Sequence, residues 1–307
     1  MNGGSVLSDR GQGDKVQSVR LTPLSRSFCC RLCNSNSISL VASEESKGKT
    51  YNIVHCDNCD LIQTVEHYSE VSPDYVDLKT SEIDDNRLWC QNKHKIPAFK
   101  QWFSTAKKYF SCEKPSLLDV GCGTGGFLSF AASKGFIPFG FDASKAQVEY
   151  TQKQYPNARF ANTFAEYSKK MGESELKYDV ITLWDVLEHI RNPSEFLKNA
   201  SEFIKPEGYL FVSVPNGGAI YWKIKIYSLF GKRPELIPWE HVFYYSTRSL
   251  KMSLEKAGFS VKKIGSVVCY PRPFSVFEIL RRIGFFCLGL YPKASPQIYA
   301  WAKLERI

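Results

Sequence analysis

Leu117-Leu-Asp-Val-Gly-Cys-Gly-Thr-Gly-Gly-Phe127 is the stretch from which the rest of the chain can be read. Leu117, Leu118 and Val120 make an apolar run of strand length, and Phe127, Leu128, Phe130 and Ala131 then recur at helical spacing. Between them Gly121, Gly123, Gly125 and Gly126 leave a backbone without side chains, so a ligand can come close. A strand, a glycine turn and a helix in this order place a ligand outside the carboxyl end of a strand in an open α/β sheet. Gly121, Gly123 and Gly126 also satisfy the dinucleotide pattern G-x-G-x-x-G. Asp119 argues against that ligand. A carboxylate two residues before the first glycine repels a pyrophosphate and suits a ligand that carries positive charge.

Three later segments extend the pattern. Phe139-Gly-Phe-Asp142-Ala-Ser reads as a second strand ending in an acid, twenty-three residues after Asp119. A carboxylate there can accept both hydroxyls of a ribose. Tyr178-Asp-Val-Ile-Thr-Leu-Trp-Asp-Val-Leu-Glu-His189 and Phe203-Ile-Lys-Pro-Glu-Gly-Tyr-Leu-Phe-Val-Ser-Val-Pro-Asn216 are further strands with polar ends. The run Asp119-Val-Gly-Cys-Gly-Thr-Gly125 resembles the first motif of the class I S-adenosylmethionine-dependent methyltransferases, and the later segments are similar to that family's motifs in the same order. The resemblance covers roughly the middle third of the chain. It implies S-adenosylmethionine as cofactor, whose sulfonium and ammonium groups provide the positive charge. It also implies a cofactor shell of Asp119, Gly121, Cys122, Gly123, Gly125, Asp142, Ala143, Asn162, Thr163, Trp184 and Asp185. At one turn the sequence departs from the family, which often has an acid there to contact adenine; Asn162 stands in its place.

The 307 residues suffice for one large domain and a small one. Strands and helices alternate from 116 to 216, which predicts a parallel doubly wound sheet; the resemblance implies the seven-stranded, Rossmann-like form of that sheet, preceded here by a small zinc ribbon. The expected organisation is a disordered arm over 1–27, the ribbon over 28–64, a connecting loop and helices over 65–115, and the methyltransferase domain over 116–270. An inserted lid covers 219–245 within that domain, and a basic, aromatic helical tail covers 271–307. Pro97 is expected to divide 85–109 into two helices. Phe259 to Val268 is expected in an antiparallel edge hairpin.

The ribbon rests on Cys30-x-x-Cys33 and Cys56-x-x-Cys59, two knuckles separated by twenty-two residues. Each C-x-x-C turn puts two thiolates on one side of a tight loop, and two turns complete a tetrahedral zinc site. Ile38-Ser-Leu-Val and Tyr51-Asn-Ile-Val between them can pair as strands. Four cysteines close the coordination shell, so the zinc is expected to be structural, and its binding would supply much of the ribbon's folding free energy.

The net charge of +9 is unevenly placed. Residues 1–218 contain 25 Lys/Arg against 26 Asp/Glu, whereas 219–307 contain 15 against 5. That half fits an anionic sugar or glycan acceptor, or a membrane surface met by the C-terminal tail; a solvated basic face is the bland reading. The longest apolar run, Ile283 to Tyr291, is too short to span a bilayer, and the first residues show no signal-peptide pattern, so a cytoplasmic location, with membrane association through the tail, is expected.

Methyl transfer to a hydroxyl needs alignment, exclusion of water and a base. Trp239-Glu-His-Val-Phe-Tyr-Tyr-Ser246 resembles the Glu-His-x-x-Tyr-Phe-Ser segment of sugar C-methyltransferases that carry an N-terminal zinc ribbon. The resemblance implies acceptor-site roles for Glu240 and His241, with Tyr244 as a further candidate. His241 is expected to be the base because an imidazole titrates near neutral pH. The chain lacks the additional C-terminal domain of those enzymes, so a sugar hydroxyl is the expected target. Tyr68 and Tyr75 are further candidates to reach over the cofactor, and His189 is expected in a structural or cofactor-shell role. The alternatives are a zinc-ribbon rRNA methyltransferase, a quinone-like small-molecule O-methyltransferase and a scaffold that binds cofactor without catalysis. Nucleic acid is disfavoured because 28–64 carries Arg31, Lys47 and Lys49 against Glu44, Glu45, Asp57 and Asp60.

Overall fold

The structure is a computed structural model that describes residues 28–46, 48–65, 85–110, 113–172, 176–231, 236–267 and 295–305. The readings of a disordered arm over 1–27, of Tyr68 and Tyr75, and of an amphipathic stretch over 274–291 lie outside the described residues.

The sheet is built from β4 (Ser116–Val120), β5 (Ile137–Asp142), β6 (Ala158–Phe160), β7 (Tyr178–Trp184), β8 (Ile204–Pro215), β10 (Phe259–Val267) and β11 (Gln297–Leu304). Their order across the sheet is β10-β11-β8-β7-β4-β5-β6. The five strands from β8 to β6 run parallel, while β11 is antiparallel to both β8 and β10. This is the seven-stranded, doubly wound sheet that the sequence predicts.

Alternate residues of one strand serve two cores, as a two-residue repeat in a sheet covered on both faces requires. Leu117, Val180, Phe211 and Trp301 face one cluster; Leu118, Ile181, Leu210 and Ala302 face the other. The first face is covered by α1 (Asp85–Ala106) and α2 (Gly126–Ala132), the second by α4 (Phe164–Met171), α5 (Pro193–Glu202) and α7 (Thr247–Lys256). Helix α3 (Lys145–Gln152) follows β5 and is capped by Ser144.

Two expectations are corrected here. Helix α1 is continuous through Pro97 rather than divided by it. Proline forfeits one backbone hydrogen bond, at a cost of roughly 3 kcal/mol. Ala98, Phe99, Trp102 and Ala106 on the following turns are all buried, and their burial against β4 and β11 offsets that loss. The second correction concerns the tail over 271–307. Its end is strand β11, inserted between β8 and β10, with Ile298, Ala300, Trp301 and Ala302 fully buried. Trp301 stacks on Trp102 at 5.6 Å between ring centres. The expected partner of β10 is therefore this strand, about thirty residues on.

A second sheet has the order β1-β2-β3-β9: β1 (Ile38–Ser46), β2 (Lys49–Cys56), β3 (Ile62–Thr64) and β9 (Phe243–Tyr244). The first two pair as read, with Leu40 opposite Val54. The fourth strand comes from the 219–245 segment, with Ile62 opposite Tyr244 and Gln63 opposite Phe243. Thr64 adds two bonds, from its amide to the Val242 carbonyl (3.0 Å) and from its hydroxyl to the His241 carbonyl (3.2 Å). The segment read as a lid is thus joined to the ribbon's sheet. Its helix α6 (Gly217–Leu229) buries Ile224 with Ile53, Ile62 and Tyr244 and leaves Trp222, Leu229 and Phe230 exposed.

Candidate functional site

The glycine turn follows β4 as predicted. Gly121, Gly123 and Gly125 all have positive φ, at 73°, 53° and 78°. A Cβ on Gly121 would meet the Val186 side chain at 2.6 Å, so this position needs glycine on both counts. Asp142 at the end of β5 braces the turn. Its Oδ2 accepts from the Gly123 amide (2.8 Å) and its Oδ1 from the Ser144 amide (2.7 Å). A carboxylate has about four acceptor positions, so each oxygen can still take a hydroxyl. The Thr151 hydroxyl donates to the Gly123 carbonyl (2.8 Å), tying α3 to the same turn.

Asp119 does not stand where the sequence suggests. It is 2% exposed, and its Oδ1 accepts from the Thr182 hydroxyl of β7 at 2.7 Å. It is a buried brace behind the turn rather than a group on its open side. Desolvation pushes its pKa up to about 7, against the Thr182 hydrogen bond and the Lys95 charge, which pull it down. Cys122 likewise turns its thiol inward, where burial raises its pKa, and its amide is used on the Phe141 carbonyl. Ala143, half-buried, lies between Asp142 and Ser144.

Asn162 and Thr163 lie at the carboxyl end of β6, both exposed. Thr163 caps α4, accepting from the Glu166 amide at 3.1 Å. Glu166 in turn accepts from the Asn162 amide at 2.9 Å. This link from Asn162 to an acid four residues on is one that the sequence reading missed. Trp184 ends β7, buried, with its indole N–H unpaired among the described residues. Asp185 has φ 55° and is held by Lys95 from α1 (2.9 Å) and Gln297 from β11 (2.5 Å). Neither partner is legible locally, because Lys95 lies ninety residues away on α1 and Gln297 sits on the strand that the sequence reads as tail.

The acceptor candidates divide. His241 and His189 come together, with ring centres 4.8 Å apart. His189 Nδ1 lies 2.9 Å from the Glu240 carbonyl. Burial, then the neighbouring His189, hold the His241 pKa down to about 3, so the near-neutral titration expected of it is not what this environment gives. Tyr244 is corrected more firmly. It is 2% exposed and packs with Ile53, Ile62, Ile224 and Leu236, which makes it a core residue under α6. Glu240 remains part-exposed beside the histidines.

At the other end of β2 and β3, Cys30, Cys33, Cys56 and Cys59 gather with their sulfurs within 4.8 Å of one another. Cys30 and Cys59 are 3.6 Å apart, and Cys33 and Cys56 are 3.5 Å apart. Four thiolates about 2.3 Å from a tetrahedral zinc stand about 3.8 Å from each other, so the cluster lies close to the spacing that the ion needs. The neighbouring Cys59 thiol pulls the Cys30 pKa down, against the desolvation that raises it.

The family model described as "Methyltransferase domain" matches residues 84–264, more than half of the chain. Among curated proteins, the ubiquinone biosynthesis O-methyltransferase of Rickettsia typhi is 34% identical over 112 residues, 35% of this chain and 44% of that protein. The protein of the same name from Coxiella burnetii is 34% identical over 120 residues, 38% of this chain and 48% of that one. The chain therefore spans about half the length of the curated relatives it matches. Among solved structures, the plantazolicin methyltransferase BpumL in complex with SAH aligns with a TM-score of 0.48 at 22% identity, covering 76% of this chain and 91% of that one. A SAM-dependent methyltransferase from Aquifex aeolicus aligns with a TM-score of 0.45 at 16% identity, covering 75% and 100%. With the match over 84–264 spanning the glycine turn, Asp142 and the β7 end, this chain belongs to the methyltransferase-domain family.

Proposed function

We propose that the protein is an S-adenosylmethionine-dependent methyltransferase acting on a hydroxyl group. The observation that carries the reading is Asp142, whose two oxygens are each fixed by a backbone amide beside three left-handed glycines. The bare turn Gly121–Gly125 and Asp142 would hold the cofactor, with Asp119 and Thr182 bracing the turn from behind. Bound there, S-adenosylmethionine supplies a methyl group already activated on a sulfonium. What remains for the chain is to align the acceptor and exclude water. Glu240 and His241, presented at the carboxyl end of β7 by the ribbon-linked strand, are the residues of the acceptor side.

A sugar hydroxyl is the acceptor supported by the Trp239–Ser246 resemblance and by the basic half of the chain after residue 218. A phenolic, quinone-like acceptor is the second reading, favoured by the name that the curated relatives carry. The four-cysteine cluster is a structural zinc site, since four sulfurs leave no position open. We place the protein in the cytoplasm, with the stretch from 274 to 291 as its contact with a membrane surface; among the described residues no helix is long and apolar enough to cross a membrane. Calorimetric titration of S-adenosylmethionine against wild type and Asp142→Ala tests the cofactor reading. Wild type is expected to bind, with at least a tenfold loss in the variant. Absence of binding to wild type would end the methyltransferase reading, and equal affinities would remove Asp142 from the site. Release of the demethylated cofactor with nucleotide-sugars against phenols then decides the acceptor.

A further inference from the structure

We propose that Glu188, His189 and His241 form a binding site for a divalent transition-metal ion, separate from the four-cysteine cluster. The three residues come from two distant segments. Glu188 and His189 lie on the short turn Leu187–His189 after β7, and His241 precedes β9. Each offers one ligand atom, and these atoms all lie within 4.8 Å of one another.

Two independent observations point to a ligand. Glu188 is 1% exposed, and neither of its carboxylate oxygens has a hydrogen-bond partner among the described residues. A buried carboxylate is ordinarily bonded, paired or bound to a metal, because desolvating it without compensation costs several kcal/mol. The second observation is the orientation of His189. Its Nδ1 is 2.9 Å from the Glu240 carbonyl, which can only accept, so Nδ1 carries the hydrogen. The lone pair is then on Nε2, which faces Glu188 Oε1 at 3.9 Å. Metal-ligating histidines are commonly held in this way, the second ring nitrogen donating to a carbonyl.

Hydrogen bonds to the main chain anchor Glu188 and His241. The Val242 amide donates to the Glu188 carbonyl at 2.9 Å, and the Thr64 hydroxyl donates to the His241 carbonyl at 3.2 Å. Ligands about 2.1 Å from an ion stand about 3–3.5 Å from each other, so the Glu188–His189 pair at 3.9 Å needs to close by less than about 1 Å and no pair by more than about 2 Å. Two imidazoles and a carboxylate suit zinc, manganese, iron or cobalt rather than calcium or magnesium. Three protein ligands also leave positions open. On the reading of the preceding section, such a position would take an oxygen of the acceptor, but metal binding does not depend on that reading.

The test uses the full chain with zinc in its ribbon and Mn²⁺ alone as probe. Mn²⁺ is a poor match for four thiolates, so it reports the second site. Electron paramagnetic resonance of free Mn²⁺ is expected to show one saturable site per chain, displaced by Zn²⁺. Glu188→Gln, which keeps the shape of the side chain, and His241→Asn should each weaken it at least tenfold. Ribbon zinc and S-adenosylmethionine affinity should stay at wild-type values in Glu188→Gln; if both fell with the Mn²⁺ site, folding would be at fault and His241→Asn would decide. No stoichiometric Mn²⁺ in the wild type, or unchanged Mn²⁺ affinity in the variants, overturns the proposal. Cofactor binding without Mn²⁺ binding would leave the methyltransferase reading standing, and the converse would leave the metal site standing.

Discussion

Replacing Asp119 by Asn should make the apo protein more resistant to unfolding at alkaline pH and weaken its hold on the cofactor. The carboxyl group is 2% exposed, and burial raises its pKa from 3.8 to about 7. An acid whose folded pKa is raised binds more protons folded than unfolded, so stability falls as pH rises between the two values. Over the whole window the loss is about 4 kcal/mol, at 1.36 kcal/mol per unit. Between pH 5 and pH 8.5 about 3 kcal/mol of it falls within reach of experiment. Asn keeps the bond from Thr182, since its Oδ1 can still accept, and adds a buried amide group that costs about 1–3 kcal/mol where it finds no acceptor.

The difference in stability between Asp119→Asn and wild type should therefore move in the variant's favour by about 3 kcal/mol from pH 5 to pH 8.5. Urea unfolding of both proteins at the two pH values, with zinc saturating, measures it. A cationic cofactor near the turn favours the ionised form, so calorimetry at pH 8 should show at least tenfold weaker S-adenosylmethionine binding to the variant. Parallel pH profiles for the two proteins would refute the argument, because they would show that Asp119 titrates alike folded and unfolded.

Gly121→Ala should abolish cofactor binding and lower stability by about 2 kcal/mol or more, because the new methyl group meets Val186 at 2.6 Å in a left-handed backbone; calorimetry and a melting curve check both. Trp301→Ala should cost about 3–5 kcal/mol in urea unfolding, since it opens a cavity against Trp102 and Phe211, whereas a helical tail docked on the surface would lose far less. His241→Ala should reduce turnover on the true acceptor about a hundredfold, by misplacing the acceptor, while leaving cofactor affinity nearly unchanged; wild-type turnover would send the search for acceptor-side residues elsewhere.

What the sequence disclosed follows from which interactions are local. Strand β4, its glycine turn and α2 are contiguous, so apolar spacing and glycine placement carry the whole unit. The same holds for each C-x-x-C knuckle. Strand β11 was hidden because its eight residues show no period: Ile298, Ala300, Trp301 and Ala302 are all buried, since the strand is flanked by neighbours on both edges and covered on both faces. Such a strand cannot be told from a buried helix by pattern. Pro97 reads locally as a break in α1, although the packing of Phe99 and Trp102 outweighs it. The brace role of Asp119 depends on Thr182, sixty-three residues away, and no local rule links them. The pairing of β3 with β9 is of the same kind, because two residues are too short to carry an alternation.

That last pairing makes the cysteine cluster more than a remote staple, and it can be tested. Cys56 ends β2; β2 pairs with β3, and β3 with β9, so a continuous ladder runs from the sulfurs to the segment that holds Glu240 and His241. Residues 28–64 alone bury too little to hold this ladder, which on the zinc reading is stabilised by the metal. The cofactor turn depends instead on β4, β5 and β7, none of which touches the ladder through a strand pairing. Cys56→Ser, or removal of zinc by a chelator, should therefore loosen one half of the site and spare the other. Hydrogen exchange should speed up at least tenfold over 236–246, while 117–127 stays within about threefold of wild type. Affinity for S-adenosylmethionine should persist as turnover falls. If 236–246 kept its protection without metal, β9 would be held by α6 and the main sheet alone, and the ribbon would have no part in placing the acceptor residues. If 117–127 lost protection to the same degree, the two sheets would unfold as one unit, and zinc would stabilise the whole chain rather than one wall of its site.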